Sequence, residues 1–482
     1  MKNLLFTVMA SIAIGGCAPI TPLRNADIDI PSWQPEEKNN YGQCVMPECP
    51  DDAPFVVLDQ EDKPNSYPIP IGIIEFDDQG VLQNRKTKDE IMNRIRALTT
   101  ETSHALTVVF AHGWQNNASH ENKNLDKFQE MLKEIAETDR KVCKDAGCEG
   151  RKVVGVYLAW RGMSAKLEPF KSMSFWNRKR VAERVGQNGV TEVLADLAEI
   201  RTGKPQSKVI LIGHSFGGAL IYSATQQLLM RDAASADHEK DKDKNWIKGG
   251  NGKWVYKSVP RTIANLVILV NPAFEAGRFT SLHDKAETMN FPETQSAIIA
   301  IFTSETDKAT KWAFPLGRRL SSLFTKYNAS RFPHESKLDR TAVGHYPGYQ
   351  THELTLLNEK FPFASPGDSV CEWQLFAKFE RSPGAKTDWD LGRVTLKRND
   401  RVKELSKGKE LIKVKDEEMY YGQHMIPYYN VVVDKGIIPD HSGIWEPMFF
   451  KEFIPRFIAA QDRPYKYSSH GPRVPVAKCP FD

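Results

Sequence analysis

Residues 208–219 read Lys208-Val-Ile-Leu-Ile-Gly213-His214-Ser215-Phe216-Gly217-Gly218-Ala219. An apolar run, a Gly-x-Ser-x-Gly turn and an alanine- and leucine-bearing continuation predict a strand, a sharp turn and a helix. Such a turn exposes the serine hydroxyl and crowds the backbone on either side of it. Glycines two before and two after relieve that crowding. The helix that follows aims its first amides at developing negative charge. Ser215 is therefore a candidate nucleophile; the bland alternative is a turn with no chemistry.

Outward from this stretch, short apolar runs alternate with longer helical patterns. The runs are Ile69 to Phe76, Leu106 to Ala111, Val153 to Trp160, Lys208 to Gly213, Asn265 to Val270, Ala297 to Thr303 and Tyr429 to Ile438. Helical stretches include Asn124–Arg140, Thr191–Arg201 and Phe216–Arg231. Near-continuous apolar strands separated by helices predict an α/β fold, a mostly parallel sheet covered on both faces. Chemistry in such folds sits at the carboxyl ends of the strands. Two segments break the alternation. Residues 232–260 contain Trp246-Ile-Lys-Gly-Gly-Asn-Gly-Lys-Trp-Val-Tyr256, which reads as an inserted β-hairpin. Asp241-x-Asp243-x-Asn245 mimics the start of a calcium loop, but Trp246 and Gly252 occupy positions that need Gly and Glu. Residues 308–428 are expected to form a cap or lid.

The strand–turn–helix around Ser215 and the strand ending in His112-Gly113 resemble those of α/β-hydrolase esterases and lipases. The resemblance covers roughly residues 100–232 and 261–310, with a segment near 430–460. It implies an oxyanion hole made by the backbone amides of Phe216 and Trp114, with His112 bracing the loop and His214 packing beneath the turn. It also implies that an acid and then a histidine follow the serine in the chain. The run Ala297 to Thr303 leads into Ser304-Glu305-Thr306-Asp307. Asp307 is the preferred acid and Glu305 the alternative. His334, His345, His352, His424 and His441 lie beyond it, before the C-terminal tail. His441 follows a strand-like run and precedes an amphipathic stretch reaching about Ala460, so it is the preferred base; His345, in Val-Gly-His-Tyr-Pro-Gly, is the alternative. These residues imply acyl transfer from an ester to water through an acyl-enzyme, without metal or organic cofactor. An acyltransferase, thioesterase or peptidase would use the same groups. A non-catalytic envelope binding protein is the reading from another class.

The ends of the chain speak to location. Met1-Lys2-Asn3, an apolar run from Leu4 to Ile14 and then Gly15-Gly16-Cys17 describe a secretory signal over residues 1–16. Ile14 to Cys17 resembles the bacterial lipobox, which implies lipid on Cys17, and Ala18 favours the outer membrane. Residues 17–66, rich in Pro, Asp and Asn, read as a tether and irregular extension; residues 67–482 are expected to be the hydrolase domain. Seven cysteines less Cys17 leave six: Cys44 and Cys49, Cys143 and Cys148, Cys371 and Cys479. In an oxidising compartment these suggest disulfides. The composition, 40% hydrophobic and 26% charged with net charge +4 over 482 residues, is that of an ordinary globular protein. No basic block interleaved with aromatics suggests nucleic acid.

Overall fold

The computed structural model describes residues 22–24, 52–58, 68–145, 150–162, 170–236, 246–248, 254–256, 259–287, 289, 291, 295–322, 325–327, 335–356, 388–390, 394–398 and 427–462. Of the cysteines only Cys143 is among them. Cys17, the proposed signal, most of the proposed tether and the other cysteines lie outside the described residues, as does Asp241 to Asn245. The chain forms two compact units, residues 1–132 with 152–225 and residues 133–151 with 226–482.

The first unit contains strands β1 (Phe55–Leu58), β2 (Ile69–Phe76), β3 (Ala105–Ala111), β4 (Lys152–Trp160) and β5 (Lys208–His214), ordered β1-β2-β4-β3-β5. β2, β4, β3 and β5 run parallel, with Ile71 opposite Gly155 and Leu106 opposite both Val153 and Lys208. All seven residues of β3 are buried, as is β5 from Val209 onward. A strand buried on both faces has no polar face to alternate with, which is why these runs read as unbroken apolar text. Helix α1 (Arg85–Leu98) is started by Asn84, whose side chain accepts from the Thr87 amide at 3.1 Å. Glycines pack where side chains could not. A Cβ on Gly155 would lie 2.6 Å from Leu132 Cδ1 on the long helix Lys123–Asp145, so the missing side chain lets that helix close on the sheet.

The second unit contributes β8 (Leu266–Val270), β9 (Ile299–Ser304), β10 (His352–Leu356) and β13 (Tyr428–Val433), parallel in the order β8-β9-β13-β10. β12 (Val394–Arg398) pairs antiparallel with β10, and β11 (Asp388–Asp390) with β12. β8 and β9 are buried throughout. Phe302 of β9 is enclosed by Phe449, Phe453 and Phe457, with ring centroids 5.2–5.7 Å away. All three belong to the helical run from Met448 that ends in the final helix, Ile454–Asp462. Gln461 closes that helix onto the start of β9, accepting from the Ala297 amide at 2.8 Å. Strands β6 (Trp246–Lys248) and β7 (Trp254–Tyr256) pair antiparallel as the expected hairpin.

Three sequence expectations need adjustment. The N-terminal extension is not wholly irregular. β1 pairs with β2, and the Leu23 and Arg24 amides donate to Glu75 at 2.7–3.1 Å. The segment assigned to a cap contains β10, a parallel strand of the sheet. The last strand ends at Val433, not Ile438, because Asp434 turns the chain, its carbonyl accepting from the Ile437 and Ile438 amides.

Candidate active site

The turn that carries Ser215, the candidate nucleophile, lies in the first unit. Ser215 follows β5 directly and has φ +56°, a left-handed conformation for a residue with a Cβ. That conformation costs about 1–2 kcal/mol, so its neighbours must hold it. They do so by contact. A Cβ on Gly213 would sit 2.6 Å from the Gly217 carbonyl oxygen, and one on Gly217 would sit 2.0 Å from the Ala111 carbonyl oxygen. The Ser215 carbonyl opens the helix Phe216–Ala236, accepting from the Ala219 amide at 3.2 Å.

The His112–Trp114 loop comes down on the same turn. A Cβ on Gly113 would be 3.0 Å from Ser215 Cβ. His112 is fully buried and braces the loop: its Nε2 accepts from the Trp160 amide at 3.2 Å, so its Nδ1 carries the hydrogen that meets the Gly113 carbonyl at 3.0 Å. The Trp160 indole donates to the His112 carbonyl at 3.0 Å, and the two rings stack at 5.6 Å. Burial pushes the His112 imidazole down to about 4, so it is neutral and unsuited to serve as a base near neutral pH. His214 is buried beside Gly113. Phe175 joins the two residues assigned to the oxyanion hole, with its ring 5.2 Å from Trp114 and 4.6 Å from Phe216. Sequence reading did not single out Phe175.

Asp307 and His441, the candidate acid and base, lie in the second unit, 134 residues apart in the chain. Asp307 Oδ2 is 2.8 Å from His441 Nδ1. A carboxylate only accepts, so Nδ1 carries the hydrogen and Nε2 is left to accept a proton. Asp307 is fully buried. Its Oδ1 accepts from the Ala309 and Thr310 amides at 2.9 and 3.1 Å, and its Oδ2 also from the Thr310 hydroxyl. Burial alone would raise this carboxyl. The His441 hydrogen bond and charge, with the Thr310 hydroxyl and amide, hold it below the usual carboxylate range instead. Glu305, the alternative acid, is exposed, and its side chain meets the Lys435 amide at 3.4 Å.

The loop carrying His441 is clamped from below. Four consecutive carbonyls each accept a side-chain donor: Ile438 from Ser304 (2.6 Å), Pro439 from Thr306 (2.7 Å), and Asp440 and His441 from Asn271 Nδ2 (3.1 and 3.0 Å). Asn271, fully buried at φ +46°, also accepts from the Ser304 amide at 2.9 Å through Oδ1. It therefore ties the end of β8, the end of β9 and the histidine loop together. Sequence reading passed over it. The available signal was an asparagine between a strand and a proline, a residue type that tolerates the left-handed region.

His345 is the alternative candidate base. It faces Thr310, with Nε2 2.9 Å from the hydroxyl oxygen. His352, on β10, packs on Tyr429, and His334 and His424 lie outside the described residues. Among the described residues no group of three His, Cys, Asp or Glu could hold a metal ion, and no helix is long and apolar enough to cross a membrane.

Residues 86–339 match the family described as alpha/beta hydrolase of unknown function (DUF900), more than half of the chain. The chain belongs to this family. The match spans His112 to Trp114, Ser215 and Asp307 and stops short of His441. With it, the eight parallel strands among the described residues carry the α/β-hydrolase fold. No curated protein and no solved structure matches the chain.

Proposed function

We propose that this DUF900 member is a serine hydrolase that cleaves carboxylic esters. Ser215 is the nucleophile, His441 the general base and Asp307 the residue that orients it. The observation that carries the reading is Ser215 at φ +56° between β5 and a helix N-terminus, a strained conformation that glycines on both sides make room for. The Asp307–His441 hydrogen bond supports it, because it selects the tautomer a base needs. In the reaction Ser215 Oγ attacks the ester carbonyl while His441 Nε2 takes its proton. The Phe216 and Trp114 amides receive the oxyanion. His441 then protonates the departing alkoxide, and water, deprotonated by the same imidazole, releases the acid from Ser215.

The N-terminal sequence supports export and a lipid on Cys17, which would hold the enzyme at the outer membrane, with its remaining cysteines oxidised. Cys17→Ser is expected to release the protein from membranes or block its processing; a variant that matures and sediments normally contradicts the anchor.

The activity is tested with p-nitrophenyl esters of rising chain length. Wild type should turn them over and Ser215→Ala should lose about 10⁴-fold or more in kcat with unchanged thermal unfolding. A folded Ser215→Ala protein of undiminished activity would overturn the reading.

A further inference from the structure

The carboxylate of Asp307 has a second neighbour besides His441. The Thr310 hydroxyl donates to the same Oδ2 that receives His441 Nδ1, and the Thr310 oxygen lies 2.9 Å from His345 Nε2. A hydroxyl has a single hydrogen. Asp307 takes it, so toward His345 the oxygen can only accept, and His345 Nε2 must carry a hydrogen. An imidazole that donates through Nε2 has no lone pair there for a proton. Toward the acid, therefore, His345 acts only as a donor.

We propose that His345 and Thr310 are positioning residues for the reaction, forming with Asp307 and His441 a chain of three hydrogen bonds that fixes which way the carboxylate faces. The inference rests on the triad reading above. His345 donates to Thr310, which has no choice but to point its hydrogen at Asp307 Oδ2; the carboxylate, already held through Oδ1 by two backbone amides, cannot rotate away from His441.

Two further observations support a role beyond packing. The turn that carries His345, Val343–His345, is anchored without the imidazole. The Val343 amide donates to the Phe274 carbonyl at 3.0 Å, Asn430 Nδ2 to the Val343 carbonyl at 3.0 Å and Gln350 Nε2 to the Gly344 carbonyl at 2.9 Å. Gly344 itself lies so close to β9 that a Cβ there would be 1.8 Å from Thr303 Oγ1. The ring is also kept neutral. Burial pushes His345 down to about 4, with Lys311 and His441 adding to the shift and the Asp307 charge opposing it. A neutral donor steadies Thr310 without placing a second positive charge that would compete with His441 for the carboxylate.

The test uses the full-length protein with p-nitrophenyl butyrate and a fluorophosphonate. Thr310→Val keeps the shape and removes the hydroxyl; it should lower kcat about 10- to 100-fold with KM within about twofold, and slow fluorophosphonate labelling in parallel. Thr310→Ser should recover to within about threefold of wild type. His345→Phe should lose about 10-fold and His345→Gln, which restores an N–H donor, should regain most of it. Because His345 acts through Thr310, the double variant Thr310→Val/His345→Phe should be no slower than Thr310→Val alone. Full kcat in folded Thr310→Val, or independent losses in the double variant, overturns the chain while leaving the triad standing. Should Thr310→Val fail to fold, the His345→Phe and His345→Gln pair decides: equal kcat in both overturns the proposal. A wild-type protein that is not labelled on Ser215 overturns the triad and this inference together.

Discussion

The turn that carries Ser215 and the Asp307–His441 pair are built by opposite means. Around Ser215 the geometry is set by backbone contacts within one short stretch and one neighbouring loop: Gly213, Gly217 and Gly113 are where they are because no side chain fits. Around His441 it is set by side-chain hydrogen bonds from residues far apart in the chain, Asn271, Ser304, Thr306, Thr310 and Asp307. A site held by steric exclusion fails all at once when altered. One held by many hydrogen bonds fails by degrees, each lost bond leaving a buried group unpaired at about 1–3 kcal/mol.

Gly217→Ala should break the first kind of construction and produce the largest effect. Its Cβ meets the Ala111 carbonyl oxygen at 2.0 Å, a backbone atom at the end of a fully buried strand. The expected result is little soluble folded protein, or a loss of unfolding free energy above about 3 kcal/mol in urea titration. A stable, active Gly217→Ala protein would mean that the turn is looser than these contacts require.

Acid sharpens the comparison, because each region holds a histidine whose pKa is lowered by burial, His112 under the Gly113 loop and His345 beside Thr310. Both are held at about 4, below the ordinary value of 6.5. Between those limits the unfolded chain binds protons that the folded chain does not. Stability is therefore full above about 6.5 and falls as pH drops toward 4, by about 3 kcal/mol for each histidine. The lowered carboxyl of Asp307 works in the same direction but in a lower window, its contribution being lost as pH falls below the usual aspartate range. Denaturant titrations from pH 7.5 to 4 should show this slope, and His345→Gln should reduce it. An unchanged slope in that variant would place the titration elsewhere.

Asn271 tests the second kind of construction at a smaller scale. Asn271→Ala removes two donors from the histidine loop and the acceptor of the Ser304 amide, and should cost about 1–3 kcal/mol in stability while slowing turnover more than it changes KM. Asn271→Gly loses the same amide but tolerates φ +46°, so it should be more stable than the alanine variant by about 1 kcal/mol. Equal stability would show that the strain is relieved by relaxation of the strand end.

What could be read in the sequence follows the same division. The Ser215 turn, its strand and its helix were legible because everything that builds them is contiguous. The parallel strands were legible because full burial leaves an unbroken apolar run. β1 escaped notice as four apolar residues in a Pro- and Asp-rich stretch, and β10 because His352-Glu-Leu-Thr-Leu356 alternates as a sheet-edge strand does, inside a segment full of turn residues. The last strand was drawn five residues too long. The apolar Ile437 and Ile438 belong to the core but follow an Asp434-Lys-Gly436 turn, in which the Gly436 amide binds the Asp434 side chain at 2.6 Å. The place of His345 was the least legible, since nothing local marks a histidine as the neighbour of another residue's neighbour. Asp307 and Glu305, two residues apart in one loop, differ most in burial and in partner, Asp307 being buried and bonded to His441 and Glu305 exposed.

That last pair leads to the most direct test of the central claim, that a serine on a sterically fixed turn is activated by a base aligned by Asp307. The full-length protein is treated with a fluorophosphonate, digested and mapped by mass spectrometry, alongside Asp307→Asn, Glu305→Gln and His441→Ala. The account predicts a single adduct on the Ser215 peptide in wild type. Glu305→Gln should label at the same rate. Asp307→Asn should be slower by about three to four orders of magnitude, and His441→Ala should show essentially no labelling, as in other triads. An adduct on a different residue, or labelling of Ser215 that is indifferent to Asp307 and His441, would contradict it.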